Sequence, residues 1–228
     1  MNLSLNALDA NISKDPEYAH SFMSHCDTIT SVNFNSNGKQ LVTSSLDQTI
    51  LLWNLEDLLY KPIKLESGNH RINEASISPN GTLIASACSD NCIKLWDNSN
   101  MWKNHSFISI KAHNASVKTI DFSCDNKLLV SGSDDKSVRI TSVNEKKVVA
   151  NLTGHTNWLK SARFSKNAKF ILSCGDDKTV RYWDVSTQKN LNIFNHLGFV
   201  NSVRFHPDDS CFASGCYDKK IRVIIFTI

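Results

Sequence analysis

The side chains best suited to chemistry in this sequence are His, Ser or Thr, and Asp at fixed separations. An Asp stands at Asp47, Asp90, Asp135, Asp177 and Asp218. Four residues before each is a hydroxyl: Thr43, Ser86, Ser131, Ser173 and Ser214. Twenty-two before it are His25, His113, His155 and His196, with Gly68 at that place in the second copy and His70 two positions late. Six after it are Trp53, Trp96 and Trp183, replaced by Thr141 and Ile224 in the third and fifth copies. Histidine, serine and aspartate can build a nucleophilic triad. A catalytic set occurs once, however, and needs an open cavity with an oxyanion site. A set that recurs with an indole reads instead as a buried structural network. Buried polar groups cost free energy unless partnered, and a satisfied network rigidifies what it joins. The expectation is a non-enzymatic chain with no catalytic residues. Its complete sets are His25/Thr43/Asp47/Trp53 and His155/Ser173/Asp177/Trp183, and its partial ones are Ser86/Asp90/Trp96, His113/Ser131/Asp135 and His196/Ser214/Asp218.

The elements that must position these residues are short strands. Between His155 and Asp184, apolar and polar residues alternate in three segments: Leu159, Ala162 and Phe164; Phe170, Leu172 and Cys174; Val180 and Tyr182. Period-two alternation predicts strands, and Asn167, Asp176 and Asp177 supply turn chemistry between them. Such a meander cannot bury both faces alone, so it needs neighbours. They are present: the Asp recurs at steps of 43, 45, 42 and 41 residues, with Phe34, Ile77, Phe122, Phe164 or Phe205 thirteen places before it. On this period and these positions, about nine-tenths of the chain resembles the WD40-repeat family. The resemblance implies a β-propeller in which the turn Asp accepts from His, His meets the strand hydroxyl, and the hydroxyl meets the indole N–H.

The expected fold is all-β: five four-stranded antiparallel blades at about 18–62, 63–106, 107–147, 148–190 and 191–228, within a domain spanning 16–228 after a flexible tail at 1–15. The first strands (Ile29–Phe34, Val117–Phe122, Leu159–Phe164, Val200–Phe205) should line the axis. Ile29, Val32, Val117, Ile120, Leu159, Ala162, Val200 and Val203 should face it. Gly132, Gly175 and Gly215 should let second strands approach their neighbours. Tyr18–Met23 reads as an outer strand able to complete the last blade, which ends after its third. Those axial residues are of medium size, unsuited to a narrow ring, so an open arc of a larger ring is expected over a closed five-bladed one.

The net charge of +3 is small and dispersed, which argues against a nucleic-acid partner. No apolar run spans a membrane, and residues 1–15 lack the features of a secretory signal. Seven cysteines at unrelated places read as reduced thiols, with no zinc cage, other metal site or cofactor. The runs Asp135–Arg139 and Asp177–Arg181 read as turns and solvated strand faces. His206 reads as a surface or turn residue.

Function should then sit on the rims. Trp158, Phe199 and Tyr217, flanked by Lys160 and Asp176, form the candidate partner-binding group, because exposed aromatics ringed by polar residues make protein hot spots. No small-molecule substrate is implied. Within the WD40 family, Asp15-Pro16, Asn157–Ser165, Asp176–Arg181, Gly198–Val200 and Phe205–Pro207 are similar to centriolar and basal-body scaffolds. That resemblance implies a cytoplasmic, cytoskeletal protein-binding scaffold supporting centriole stability and cilium formation. It also implies a seven-bladed ring and a coiled coil, of which this chain would be a part. A scaffold subunit of a nuclear RNA-processing or transcription complex, or a ubiquitin-ligase substrate receptor, stays open beside it.

Overall fold

A computed structural model describes residues 23–56, 61–99 and 106–226. The 1–15 tail, the Tyr18–Met23 strand apart from Met23, and the insertion around Trp102 lie outside the described residues.

The chain folds as five consecutive antiparallel sheets. Blade one is β1 (Ile29–Phe34), β2 (Gln40–Ser45), β3 (Thr49–Asn54) and β4 (Ile63–Glu66). Blade two is β5 (Ile72–Ile77), β6 (Leu83–Cys88), β7 (Cys92–Asp97) and β8 (Phe107–Lys111). Blade three is β9 (Val117–Phe122), β10 (Leu128–Ser133), β11 (Val138–Ser142) and β12 (Lys147–Leu152). Blade four is β13 (Leu159–Phe164), β14 (Phe170–Gly175), β15 (Thr179–Asp184) and β16 (Asn190–Asn195). Blade five is β17 (Val200–Phe205), β18 (Cys211–Cys216) and β19 (Ile221–Ile225). Strands pair in chain order, so every blade is a plain meander. The fifth has three strands among the described residues, one fewer than the five-by-four expectation. No helix of the described residues is long and apolar enough to cross a membrane.

The tight turn before each third strand depends on one residue. In blade four, Lys178 adopts φ of 63°, a left-handed conformation that costs a side-chain-bearing residue free energy. Asp177 compensates: its Oδ1 accepts from Thr179 N at 3.0 Å and Thr179 Oγ1 at 2.8 Å. The same carboxylate that serves the buried network therefore also shapes the turn.

Four apolar cores lie between successive blades. Val42, Ile50 and Leu65 of blade one meet Ile72, Ile84 and Trp96 of blade two, and the pattern repeats onward. Val117 and Ile120 belong to the second core, Leu159 and Ala162 to the third, and Val200 and Val203 to the fourth. These aliphatics were expected at the axis; strand pleating instead turns them between blades, where burial is worth about 1.5–3 kcal/mol per large side chain. Polar residues take the axis.

Among the described residues the blades do not close into a ring. Ile29, Val32 and Phe34 at one end, and Ile221, Val223 and Ile225 at the other, are exposed. The glycines differ in how closely they are approached. A Cβ on Gly132 would meet Leu159 of the next blade at 3.3 Å, and one on Gly175 would sit 2.1 Å from the Trp158 carbonyl oxygen. At Gly215 nothing among the described residues lies within 4 Å, so the close approach expected there is absent.

Candidate protein-interaction site

The recurring polar set is assembled fully in blades one and four. His155 Nδ1 lies 2.7 Å from Asp177 Oδ2, its Nε2 2.7 Å from Ser173 Oγ, and Trp183 Nε1 donates to that hydroxyl at 2.8 Å. Proton directions follow from the ends: the indole can only donate and the carboxylate only accept. Ser173 therefore donates to His155 Nε2, and His155 Nδ1–H donates to Asp177. Burial pushes the Asp177 carboxyl up, yet the bonds from His155, Thr179 and Thr156 outweigh it and hold its pKa down at about 2. Burial also keeps His155 below the ordinary imidazole value. In blade one, His25 contacts Asp47 at 2.9 Å and Thr43 at 2.8 Å, and Trp53 donates to Thr43 at 3.0 Å.

The other blades depart from this in distinct ways. Blade three keeps His113 on Asp135 at 3.0 Å and on Ser131 at 2.8 Å, while Thr141 Oγ1, in the indole's place, is buried without a partner. In blade five His196 holds Ser214 at 2.8 Å but turns its Nδ1 to the Phe194 carbonyl at 3.2 Å. Asp218 leaves the set and binds Arg222 at 2.6 Å. Blade two has lost the relay. His70 is half exposed and 3.9 Å from Asp90, Ser86 contacts Cys88 at 3.2 Å, and Trp96 Nε1 is buried and unpartnered. A buried Lys94 takes over, with Nζ 2.9 Å from Asp90 and a bond to the Ser67 carbonyl.

Lys94 exposes a position missed in the sequence. Four residues after the Asp stand Lys94, Arg139, Arg181 and Arg222. The solvated face expected for these runs is corrected at Arg139, which donates to the Ala112 carbonyl at 2.6 Å. The signal was the repetition of a base at one register in four of five repeats.

At the blade end carrying the His–Asp turns, Trp158, Phe199 and Tyr217 are 52%, 44% and 74% exposed. Repeat-equivalent backbone bonds place them alike: Asp176 N donates to the Trp158 carbonyl and Tyr217 N to that of Phe199, both at 2.8 Å. The Phe199 and Tyr217 rings lie 6.3 Å apart. Lys160 and Asp176 bind each other at 3.2 Å beside them. The group is thus an apolar patch from two neighbouring blades, with a self-neutralised ion pair at its edge. His206 is exposed at the other blade end, 2.5 Å from Asp208.

The axis holds a non-repeating polar cluster where none was expected. Glu74 of blade two accepts from Ile120 N of blade three at 3.0 Å and binds Arg163 of blade four through both oxygens, at 2.5 and 3.2 Å. Arg163 also donates to Thr119 at 2.7 Å, and Asp121 accepts from Phe164 N at 3.0 Å. Burial works against the Arg163 charge, but Glu74 and Asp121 outweigh it and raise its pKa. These bonds span from one blade to the next and, through Glu74 and Arg163, across two junctions. Between blades four and five the side-chain tie sits instead at the strand turns, where Asp209 accepts from Lys166 N and Asn167 N, and Ser161 Oγ is buried unpartnered.

Comparison with protein-family models finds a match to "WD domain, G-beta repeat" at residues 16–54, 61–97, 104–142, 146–184 and 188–224. The chain belongs to the WD40 family. In WD40 proteins the blades generally serve as non-enzymatic scaffolds for protein–protein interaction, which accords with a relay repeated for rigidity. Among curated WD40 relatives, the chain is 36% identical over 148 residues to nuclear distribution protein PAC1 of Arthroderma otae, covering 61% of this chain and 32% of that protein. It is 26% identical over 193 residues to WD repeat-containing protein SL1-17 of Schistosoma mansoni, covering 84% and 63%. It is 30% identical over 119 residues to the transcriptional corepressor LEUNIG_HOMOLOG of Arabidopsis thaliana, covering 52% and 15%. The chain thus spans about a third of the length of the PAC1 relative.

Proposed function

We propose that this chain is a protein-binding scaffold of the centriole or basal body, engaging its partner through Trp158, Phe199 and Tyr217. The observation that carries the binding face is three exposed aromatic rings at one blade end, beside the fully assembled relay of blade four. Large rings on a rigid support lose little entropy on binding, which is why hot spots favour them. The centriolar part of the proposal rests on the resemblance read in the runs Asn157–Ser165 and Gly198–Val200. A second reading, a nuclear transcription scaffold, is supported by the relative named as a transcriptional corepressor.

Trp158→Ala and Phe199→Ala are expected to weaken capture of the partner from ciliated cells at least about tenfold, while changing stability by less than about 1 kcal/mol. Quantitative pull-down and urea melts check both halves; a variant that unfolds would assign its ring to the core. Imaging of the tagged chain decides between the two readings. Centriolar foci support the first, and a diffuse nuclear signal overturns it.

A further inference from the structure

Arg204 occupies, on β17, the place that Asp121 holds on β9 and Arg163 on β13, directly before the aromatic that ends the strand. Asp121 and Arg163 are committed to neighbouring blades. Arg204 donates to the carbonyl of Val203, its own neighbour in the chain, at 3.2 Å, and forms no ion pair with a carboxylate of the described residues. Its guanidinium lines an open-sided well of about 410 Å³ with Asn33, Asp121, Lys166 and His206.

The negative groups of this well are already engaged. Both oxygens of Glu74 face Arg163. Asp121 accepts from Phe164 N, and burial pushes its pKa up, toward the neutral acid. Asp209 accepts from the backbone N–H groups of Lys166 and Asn167, at 2.8 and 3.0 Å. Burial and then the nearby Arg163 charge pull the Arg204 pKa below the usual guanidinium value. Arg204 and Lys166, neither ion-paired with a carboxylate of the described residues, thus face a hollow in which Glu74 is spent on Arg163 and the one further carboxylate at the mouth, Asp209, is tied to backbone N–H groups.

We propose that this well binds an oxyanion presented by a partner protein, a carboxylate or a phosphorylated side chain, with Arg204 as the forked donor and Lys166 as the outer charge. A guanidinium matches the paired oxygens of either group, and a charge-assisted fork is the strong form of such a bond. The well opens at the first-to-second-strand turns, the blade end opposite Trp158. The site therefore stands whether or not the aromatic face binds protein.

The test titrates the full chain with three blocked amino acids: N-acetyl-glutamate amide, N-acetyl-phosphoserine amide and the uncharged N-acetyl-glutamine amide. NMR follows the Arg204 Nε–H signal. At least one anionic probe should shift it saturably, and the glutamine probe should not. A response to phosphoserine alone assigns a phosphorylated partner; a response to both assigns any acidic side chain. Binding followed by calorimetry should weaken at least about tenfold in Arg204→Gln and be unchanged in Trp158→Ala. The proposal is overturned by silence with both anions, by equal shifts from the glutamine probe, or by full affinity in Arg204→Gln. A collapse of the melting temperature in Arg204→Gln would assign the guanidinium to the fold and also overturn the site.

Discussion

Glu74→Ala is expected to destabilise the protein by about 3–5 kcal/mol, the cost of leaving a buried charge without its partner. Both members of the pair are largely shielded, with side chains 11% exposed. Glu74 also satisfies the Ile120 N–H, so its loss strands a backbone donor as well. Arg163→Met should be damaging for the mirror reason, since Glu74 would keep its charge and lose its fork. The double variant Glu74→Met/Arg163→Met should recover much of the loss, because an apolar pair of similar volume leaves no charge uncompensated. Urea unfolding of the three variants checks this. A loss below about 1 kcal/mol in Glu74→Ala would mean that the pair is hydrated and idle.

Asp177→Ala should cost about 2–4 kcal/mol, since it leaves a buried imidazole and hydroxyl without their anchor and opens the turn that Thr179 closes. Asp218→Ala should cost clearly less, because Asp218 contacts Arg222 and not His196. Equal losses in parallel denaturant melts would count against the ranking. The folded pKa of Asp177 is depressed to about 2, so its contribution is fully present above the unfolded value of about 4 and is lost as pH falls through about 2. His155 is also depressed; neutral when folded, it binds its proton more readily when unfolded, so its contribution likewise begins to fall below about pH 6.5. Wild-type stability should therefore drop from about pH 6.5 downward, and Asp177→Ala should flatten the lower part of that slope.

The strands and relays were legible because each is written locally and repeated. The first strands of blades one, three, four and five have the bounds expected from alternation, and in blade four His155, Ser173, Asp177 and Trp183 lie within hydrogen-bonding distance of one another. Departures were legible only as missing letters. That Thr141 lacks an indole could be read directly; that Lys94 would replace a histidine depended on its side chain folding back to Asp90. Asp218 matched the period yet answers to Arg222, while the His196 ring turns its Nδ1 to the Phe194 carbonyl. The axial cluster escaped altogether. Glu74, Asp121 and Arg163 sit in three blades, and nothing in any single repeat distinguishes them from solvated strand residues. Their common mark is the narrow column they share once the blades curve around one axis.

Glu74 and Arg163 are 89 positions apart, with all of blade three between them. Contacts of such separation wait on the closure of everything they enclose. The pair therefore belongs to the late side of the folding barrier. An interaction absent from the transition state leaves the folding rate nearly untouched and slows unfolding instead. By this reasoning the axial tie sets how long the assembled arc persists rather than how fast it forms. When it lets go, blades two to four lose an axial brace, and Val223 and Ile225 are already uncovered at the far end of the arc. An unpaired apolar edge of that kind recruits other strands. The tie thus stands between the native lifetime of this arc and its loss to aggregation.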